Sequence, residues 1–188
     1  MHQVSLRDSR SARNDQRWIE GVYRDYLNDL APAATGIFPA LGEVGHREND
    51  QLLRWFADRT AHVLTILYNE EPVGFAMVRR RTPAQTGGTR PAAEAPEATK
   101  AAVPVATEFS MAEFFIARPW RRRGIGAQAV RMLFDRFDGQ WLISEHVSNS
   151  TAVTFWRRVV TAYTHGKYQE RIVNGEVQQH FASGPQRR

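Results

Sequence analysis

Trp18, Ile19, Val22, Tyr23, Tyr26, Leu27 and Leu30 recur at steps of three and four residues. That spacing predicts an amphipathic helix, capped by Asn14 or Asp15 and running to about Leu30. Ahead of it, HQVSL alternates and predicts a short edge strand. The stretch APAATGIFPALGEVG is interrupted by Pro32 and rich in Gly, and predicts a loop. A shorter helix follows, capped by Asn49 or Asp50, with Leu52, Leu53 and Phe56 on one side. HVLTILY and PVGFAMVRRR are strand-length runs joined by a turn at Asn69 to Glu71, and so form a hairpin.

The pattern then breaks. Thr82 to Ala106 is Pro, Ala, Thr and Gly without periodicity. Such a stretch buries too little apolar surface to offset its ordering entropy, and is expected to be a flexible insertion between two strands. EFSMAEFFIA resumes as a strand. A helix from about Gly124 to Phe137 carries the stripe Ala129, Leu133 and Phe137, helped by Ile125, Val130 and Phe134. QWLISEHV is the next strand. NSTAVTFWRRVV is a short helix capped by Ser148 or Asn149. AYTHGKYQERIV and EVQQHFAS are two strand-like runs joined by Asn174-Gly175, a strong hairpin signal. The order β-α-α-β-β-β-α-β-α-β-β predicts an α/β or α+β fold with a mixed central sheet. With 188 residues, one domain over 1–188 is expected, interrupted by the insertion at about 82–106.

Composition narrows the chemistry. There is no cysteine, which excludes disulfides, thiolate zinc sites and a cysteine nucleophile. No metal is expected: His46, His62, His165 and His180 lack metal-ligand spacing. No apolar run spans a bilayer and no secretory h-region is present, so a soluble cytoplasmic protein without membrane association is expected. The net charge of +5 favours anionic partners. Nothing in the pattern speaks to oligomeric state.

The charge is concentrated in RPWRRRGIGAQAV, from Arg118 to Val130. Four arginines stand ahead of a Gly-x-Gly where a strand ends and a helix begins. The first amides of a helix have no intrahelical partner, and the helix dipole adds positive charge there. Glycine lets a bulky anion approach, and arginines add charge-assisted hydrogen bonds. Together these suit a phosphate or pyrophosphate. A nucleic-acid surface would instead spread its basic residues along a face with interleaved aromatics, whereas Trp120 is the only one here.

The stretch MAEFFIARPWRRRGIG resembles the central motif of the GCN5-related N-acetyltransferases, a strand followed by an R/Q-x-x-G-x-G/A turn and a helix. Arg121, Gly124 and Gly126 occupy those positions. Asn149, Ala152, Phe155 and Trp156 look like the family's second pattern, one helix and one strand further on. GFAMV around Gly74 looks like its third strand. The resemblance covers roughly Val63 to Ala182 apart from the insertion. It implies a mostly antiparallel sheet with helices on both faces and splayed strands forming an acyl-CoA cleft. The implied activity is acetyl transfer from acetyl-CoA to an amine, small or peptidyl, by direct attack without a covalent enzyme intermediate. The resemblance places the pyrophosphate on the amides of Arg121, Arg122, Arg123, Gly124, Ile125, Gly126 and Ala127. It places the pantetheine arm beside Phe115, Ile116 and Ala117, where an N–H would polarise the thioester carbonyl, and it has Asn149 reach toward that arm.

An alkylammonium acceptor, with a pKa of about 10, must lose a proton before attack. Glu113 lies in an otherwise apolar strand and is either that base or a structural ion-pair partner of an arginine. His146 ends the next strand, where it either shuttles protons or is a surface histidine without a role. Many family members carry a tyrosine that protonates the leaving thiolate, at the position where Trp156 stands here, and an indole N–H is not a useful acid. Tyr163, Tyr168 or solvent would then serve, or the chain binds acyl-CoA without efficient catalysis.

Overall fold

Asn69 and Glu70 both adopt left-handed backbone, at φ 50° and 66°. They form the tight turn that joins strand β2 (Ala61–Tyr68) to β3 (Glu71–Arg81) with matching twist. In the computed structural model the described residues are 3–30, 44–81 and 107–184, with only the backbone course for 44–50. The loop expected after residue 30 lies largely outside them, and the insertion at 82–106 wholly so. The other elements are β1 (Val4–Asp8), α1 (Arg13–Leu30), α2 (Val44–Ala57), β4 (Glu108–Ile116), α3 (Ile125–Arg136), β5 (Gln140–His146), α4 (Ser150–Thr164), β6 (Gln169–Val173) and β7 (Glu176–Ala182). Their order agrees with the pattern of the sequence. No helix among the described residues is long and apolar enough to cross a membrane.

Among the described residues seven strands form one sheet, in the order β1-β2-β3-β4-β5-β7-β6. All neighbours are antiparallel except β4 and β5, which run parallel because α3 carries the chain across between them. One core lies between the sheet and α3 and α4, with Phe134, Leu133, Trp141 and Val160 at its centre. The other lies under α1 and α2, with Ile19, Tyr23, Tyr26, Trp55, Phe75 and Phe115. Arg10 locks α2 in place by donating to the carbonyls of Trp55, Phe56 and Asp58 at the end of that helix, and to Ala61 at the start of β2.

Two irregularities shape the centre of the sheet. Met77 pairs with Glu113 and Val78 with Met111, so Ala112 is an extra residue in β4. A bulge of one residue reverses which side chains face which layer. Before it, Phe109 and Met111 face α3 and α4; after it Phe114 and Ile116 do, and Glu113 and Phe115 turn toward α1. Second, the β4–β5 pairing runs only from Glu108–Gln140 to Met111–Ile143. Beyond that point β4 stays with β3 as far as Gly74–Ile116, and β5 stays with β7 as far as His146–Glu176. The strands splay and leave a gap between 112–116 and 144–146.

Gly74 makes the close approach of β3 to that edge possible. A Cβ there would fall inside van der Waals contact of the Phe115 carbonyl oxygen and of the Ile116 side chain. Gly74→Ala is therefore expected to push β3 off β4 and to destabilise the protein by about 2–4 kcal/mol in urea melts.

Several local expectations are corrected. Asp15 does not cap α1: it is buried and receives two hydrogen bonds from Arg7, both of 2.7 Å. Helix α2 starts at Val44, so Asn49 and Asp50 are internal. Its buried pair is Leu52 and Trp55, three residues apart, while Leu53 is 61% exposed. Helix α4 continues to Thr164 and takes up Ala162, Tyr163 and Thr164, which the strand-like pattern had assigned to the following strand. The aromatic and β-branched residues there fit either state locally, and packing of Val159 and Val160 on the sheet decides for helix. His165 and Gly166, both left-handed, end it.

Candidate functional site

The turn after β4 is built to leave amides open. Ala117 N–H closes the strand on the Val73 carbonyl at 2.9 Å. Arg118–Trp120 form one 3-10 turn, and Arg121 N–H caps it on the Arg118 carbonyl at 3.3 Å. Arg122 (φ 63°) and Gly124 (φ 80°) then swing the chain into α3. Gly124 is the N-cap and no side chain caps the helix. The first bond within α3 runs from Gln128 N–H to the Gly124 carbonyl, so Ile125, Gly126 and Ala127 start the helix with amides that have no helical partner. The Ile125 side chain is buried and anchors this end. A Cβ on Gly124 would meet nothing within 4 Å, so the space in front of the helix is open. Unpartnered amides, the dipole and open space together suit an oxyanion.

Two of the amides in the expected stretch bond within the chain. The amides of Ala117 and Arg121 are already engaged, which leaves the run from Arg122 to Ala127. The arginine side chains also differ from the expected picture. Arg118 and Arg121 both donate to Asp29 in the last turn of α1. Arg121 also donates to the Ile116 carbonyl at 2.6 Å and lies over the Phe115 ring. Burial works against ionisation of Asp29, but the hydrogen bonds from Arg121 and Arg118 prevail and hold its carboxyl below its usual range. Arg123 stacks on Trp120, which leans on Tyr68. Of the four arginines in the stretch, three are thus committed to intramolecular contacts, which is not the arrangement of an open nucleic-acid surface.

The gap between β4 and β5 is flanked by two carboxylates, one on each face of the sheet. Glu113, turned toward α1 by the bulge, accepts a hydrogen bond from the Tyr26 hydroxyl. Among the described residues no arginine pairs with it. Burial, and after it the negative charge of Glu145, push the Glu113 carboxyl up to about 8. Glu145 faces α4 and accepts a 3.0 Å hydrogen bond from Asn149 Nδ2. Burial raises the Glu145 carboxyl as well, and the Asn149 bond works against that. Asn149 is the N-cap of α4, with its Oδ1 on the Ala152 N–H. Its side chain therefore holds Glu145 and the helix start together at the mouth of the gap.

The remaining sequence-derived residues are placed as follows. Phe115 and Ile116 line the end of β4, on opposite faces of the sheet. His146 ends β5 with Nδ1 2.6 Å from Ser148 Oγ, against the β6–β7 turn. Tyr163 is not at the site: it donates to Asp135 at 2.9 Å, near the far ends of α3 and α4, about 20 Å along α4 from Asn149. Burial and the nearby Asp135 carboxylate push its hydroxyl up to about 12. Tyr168 bonds Thr161 beyond the same helix end. Trp156 is buried, edge-on to Phe114, while Phe155 stacks on Phe114 and borders Gly126. Sequence reasoning missed Asp29 and the contact between Tyr26 and Glu113. Tyr26 carried only a core signal, and nothing in the local pattern marked the bulge. Among the described residues no group of His, Asp and Glu side chains is placed to hold a metal ion.

Comparison with known proteins agrees with the geometry. The model of a family described as the acetyltransferase (GNAT) family matches residues 24–160. No curated protein gives a significant match. Among solved structures, a GNAT-family acetyltransferase from Streptococcus agalactiae superposes with a TM-score of 0.62 at 11% identity, covering 98% of this chain and 96% of that one. The PaiA N-acetyltransferase of Thermoplasma acidophilum, in complex with coenzyme A, gives 0.55 at 9% identity, covering 96% and 99%. NAA60 of Arabidopsis thaliana, in complex with acetyl-CoA, gives 0.52 at 12% identity, also covering 96% and 99%. At these identities the likeness bears on the fold alone.

Proposed function

The chain belongs to the acetyltransferase (GNAT) family, and from that premise we propose that it transfers the acetyl group of acetyl-CoA directly to a primary amine. The observation that carries this reading is the junction of two features: the β4–β5 gap opens beside the unpartnered amides that start α3. The amides from Arg122 to Ala127 hold the pyrophosphate, and the gap takes the pantetheine arm between Ile116 and Asn149. N–H groups along β4 alternate between the two sides of the strand. With Ala117 N–H on Val73, the Ile116 N–H faces the gap and polarises the thioester carbonyl, where the oxyanion develops.

Glu113 serves as the base. It takes the ammonium proton, and the amine nitrogen then attacks the thioester carbon. The C–N bond forms, the nitrogen gives up its second proton to solvent, the C–S bond breaks and CoA leaves as the thiolate. A carboxyl held near 8 by burial is well matched to a neutral operating pH. Solvent protonates the thiolate, since Tyr163 and Tyr168 lie elsewhere.

Trp156 favours a second reading. Its indole is buried against Phe114 where a proton-donating tyrosine is expected from the family resemblance, as in a domain that binds acyl-CoA without turning it over. Calorimetric titration with acetyl-CoA at near-physiological salt tests both. One-to-one binding with a shallow salt dependence is expected, because backbone amides rather than many side-chain charges make the contacts. No heat from well-folded protein would overturn both readings. An amine screen that follows released CoA with a thiol reagent then separates enzyme from binding module. The protein contributes no background, having no cysteine.

A further inference from the structure

The last turn of α1 grips the site at two points. Tyr26 and Asp29 are three residues apart, and so lie on one face of the helix. Tyr26 bonds the Glu113 carboxyl and Asp29 bonds Arg118 and Arg121. One helical turn is thereby tied to both the candidate base and the turn that starts α3. The Tyr26 ring is buried and set edge-on against Phe75 and Phe115, at centroid distances of 5.4 and 5.8 Å, and it tilts against Tyr23. This packing leaves the ring little freedom, and the Asp29 ion pairs fix the helix on which it stands.

We propose that Tyr26 is a positioning residue: its hydroxyl holds the Glu113 carboxyl at the edge of the gap and stabilises its ionised form. This rests on the reading of Glu113 as the base. Among the described residues, the other groups around Glu113 offer little that could do so. On β3 the neighbours are Met77 and Phe75, and on α2 the buried residues of the same core are Leu52 and Trp55. From β5 comes Glu145, whose negative charge opposes ionisation of Glu113. The arginines nearest in the chain, Arg118 and Arg121, are committed to Asp29. Among the described residues the phenol is thus the donor that favours the carboxylate over the acid. A carboxyl buried in an apolar strand is costly to keep, and an orienting hydroxyl gives the pair a reason to be there beyond packing.

Tyr26→Phe keeps the ring and removes only the donor. The carboxyl of Glu113 is followed by 13C NMR in the ligand-free protein, its signal identified by its loss in Glu113→Gln. In Tyr26→Phe the titration of Glu113 is expected to move up by about one pH unit. The acid limb of kcat/KM moves with it, so that activity falls about ten-fold at neutral pH and recovers at high pH. In a Glu113→Gln background, Tyr26→Phe should change the rate no further. An unmoved Glu113 titration in a folded Tyr26→Phe protein would overturn the proposal, and so would a further loss of rate in the double variant. Because the titration needs neither cofactor nor turnover, it decides on Tyr26 even if the chain proves not to be a transferase. A Glu113 signal that moves while the pH–rate limb stays fixed would instead overturn Glu113 as the base.

Discussion

Gly124→Glu is expected to abolish acetyl-CoA binding while the protein stays folded. Gly124 stands at φ 80° as the N-cap of α3, so any side chain there costs about 1–2 kcal/mol of left-handed strain. A Cβ would meet no neighbour within 4 Å, so there is no steric penalty to add. The new carboxylate would project into the open space before the amides of Ile125, Gly126 and Ala127, which would bind it in place of the pyrophosphate. Like-charge repulsion would do the rest. Gly124→Ala is the control: it carries the same backbone strain without the charge, and should lose little affinity. Calorimetry on the pair checks this, with a loss of at least 10³-fold for Glu expected from several forfeited hydrogen bonds to a charged group. Equal affinities for the two variants would move the phosphate site elsewhere.

Glu113→Gln has the second large effect. Loss of a general base typically lowers turnover by about 10²–10⁴-fold, and the acid limb of the pH profile near 8 should vanish with it. An unchanged profile would return Glu113 to a structural role. The same substitution has a signature in stability. The folded protein holds Glu113 up at about 8, above an ordinary carboxyl near 4.5. Between those values the unfolded chain is ionised and the folded chain is not, so the native state binds the extra proton. Stability is therefore full below about 4.5, and falls by a few kcal/mol as pH rises to about 8. Gln cannot ionise and lacks this slope. Urea melts at pH 5 should find the two proteins alike, and at pH 8.5 should find the variant more stable. Parallel slopes would mean that Glu113 is ionised in both states.

The legible parts of this protein were those written in local chemistry. The stripe of α1, the Asn69–Glu71 and Asn174-Gly175 turns and the strand–glycine–helix junction each place their signal within a few residues. The backbone physics that reads them is equally local. The turn could be read as a candidate oxyanion cradle because unpaired helix-start amides are a property of any such junction. Misreadings arose where local preference was ambiguous. Asp15 is a good cap residue, yet it is buried against Arg7, which takes both of its carboxylate oxygens. Residues 162–164 suit strand or helix until Val159 and Val160 find the sheet.

By itself, then, the sequence determined the succession of elements, the mixed sheet, the absence of cysteine and the glycine turn that opens α3. Only the tertiary structure decided which way the chemistry points. The bulge at Ala112 turns Glu113 out of one layer and onto Tyr26, which lies 87 residues earlier in the chain. Arg121, the residue that marks the motif, spends its guanidinium on Asp29 and the Ile116 carbonyl. Tyr163, the nearest phenol in the chain to the missing acid, is carried to the other end of α4. The reason is common to all three. In a strand a single extra residue reverses side-chain direction, and in a helix each further turn carries a side chain about 5.4 Å along the axis. Such an insertion leaves no mark on hydrophobic pattern, and its consequence appears only when distant elements pack.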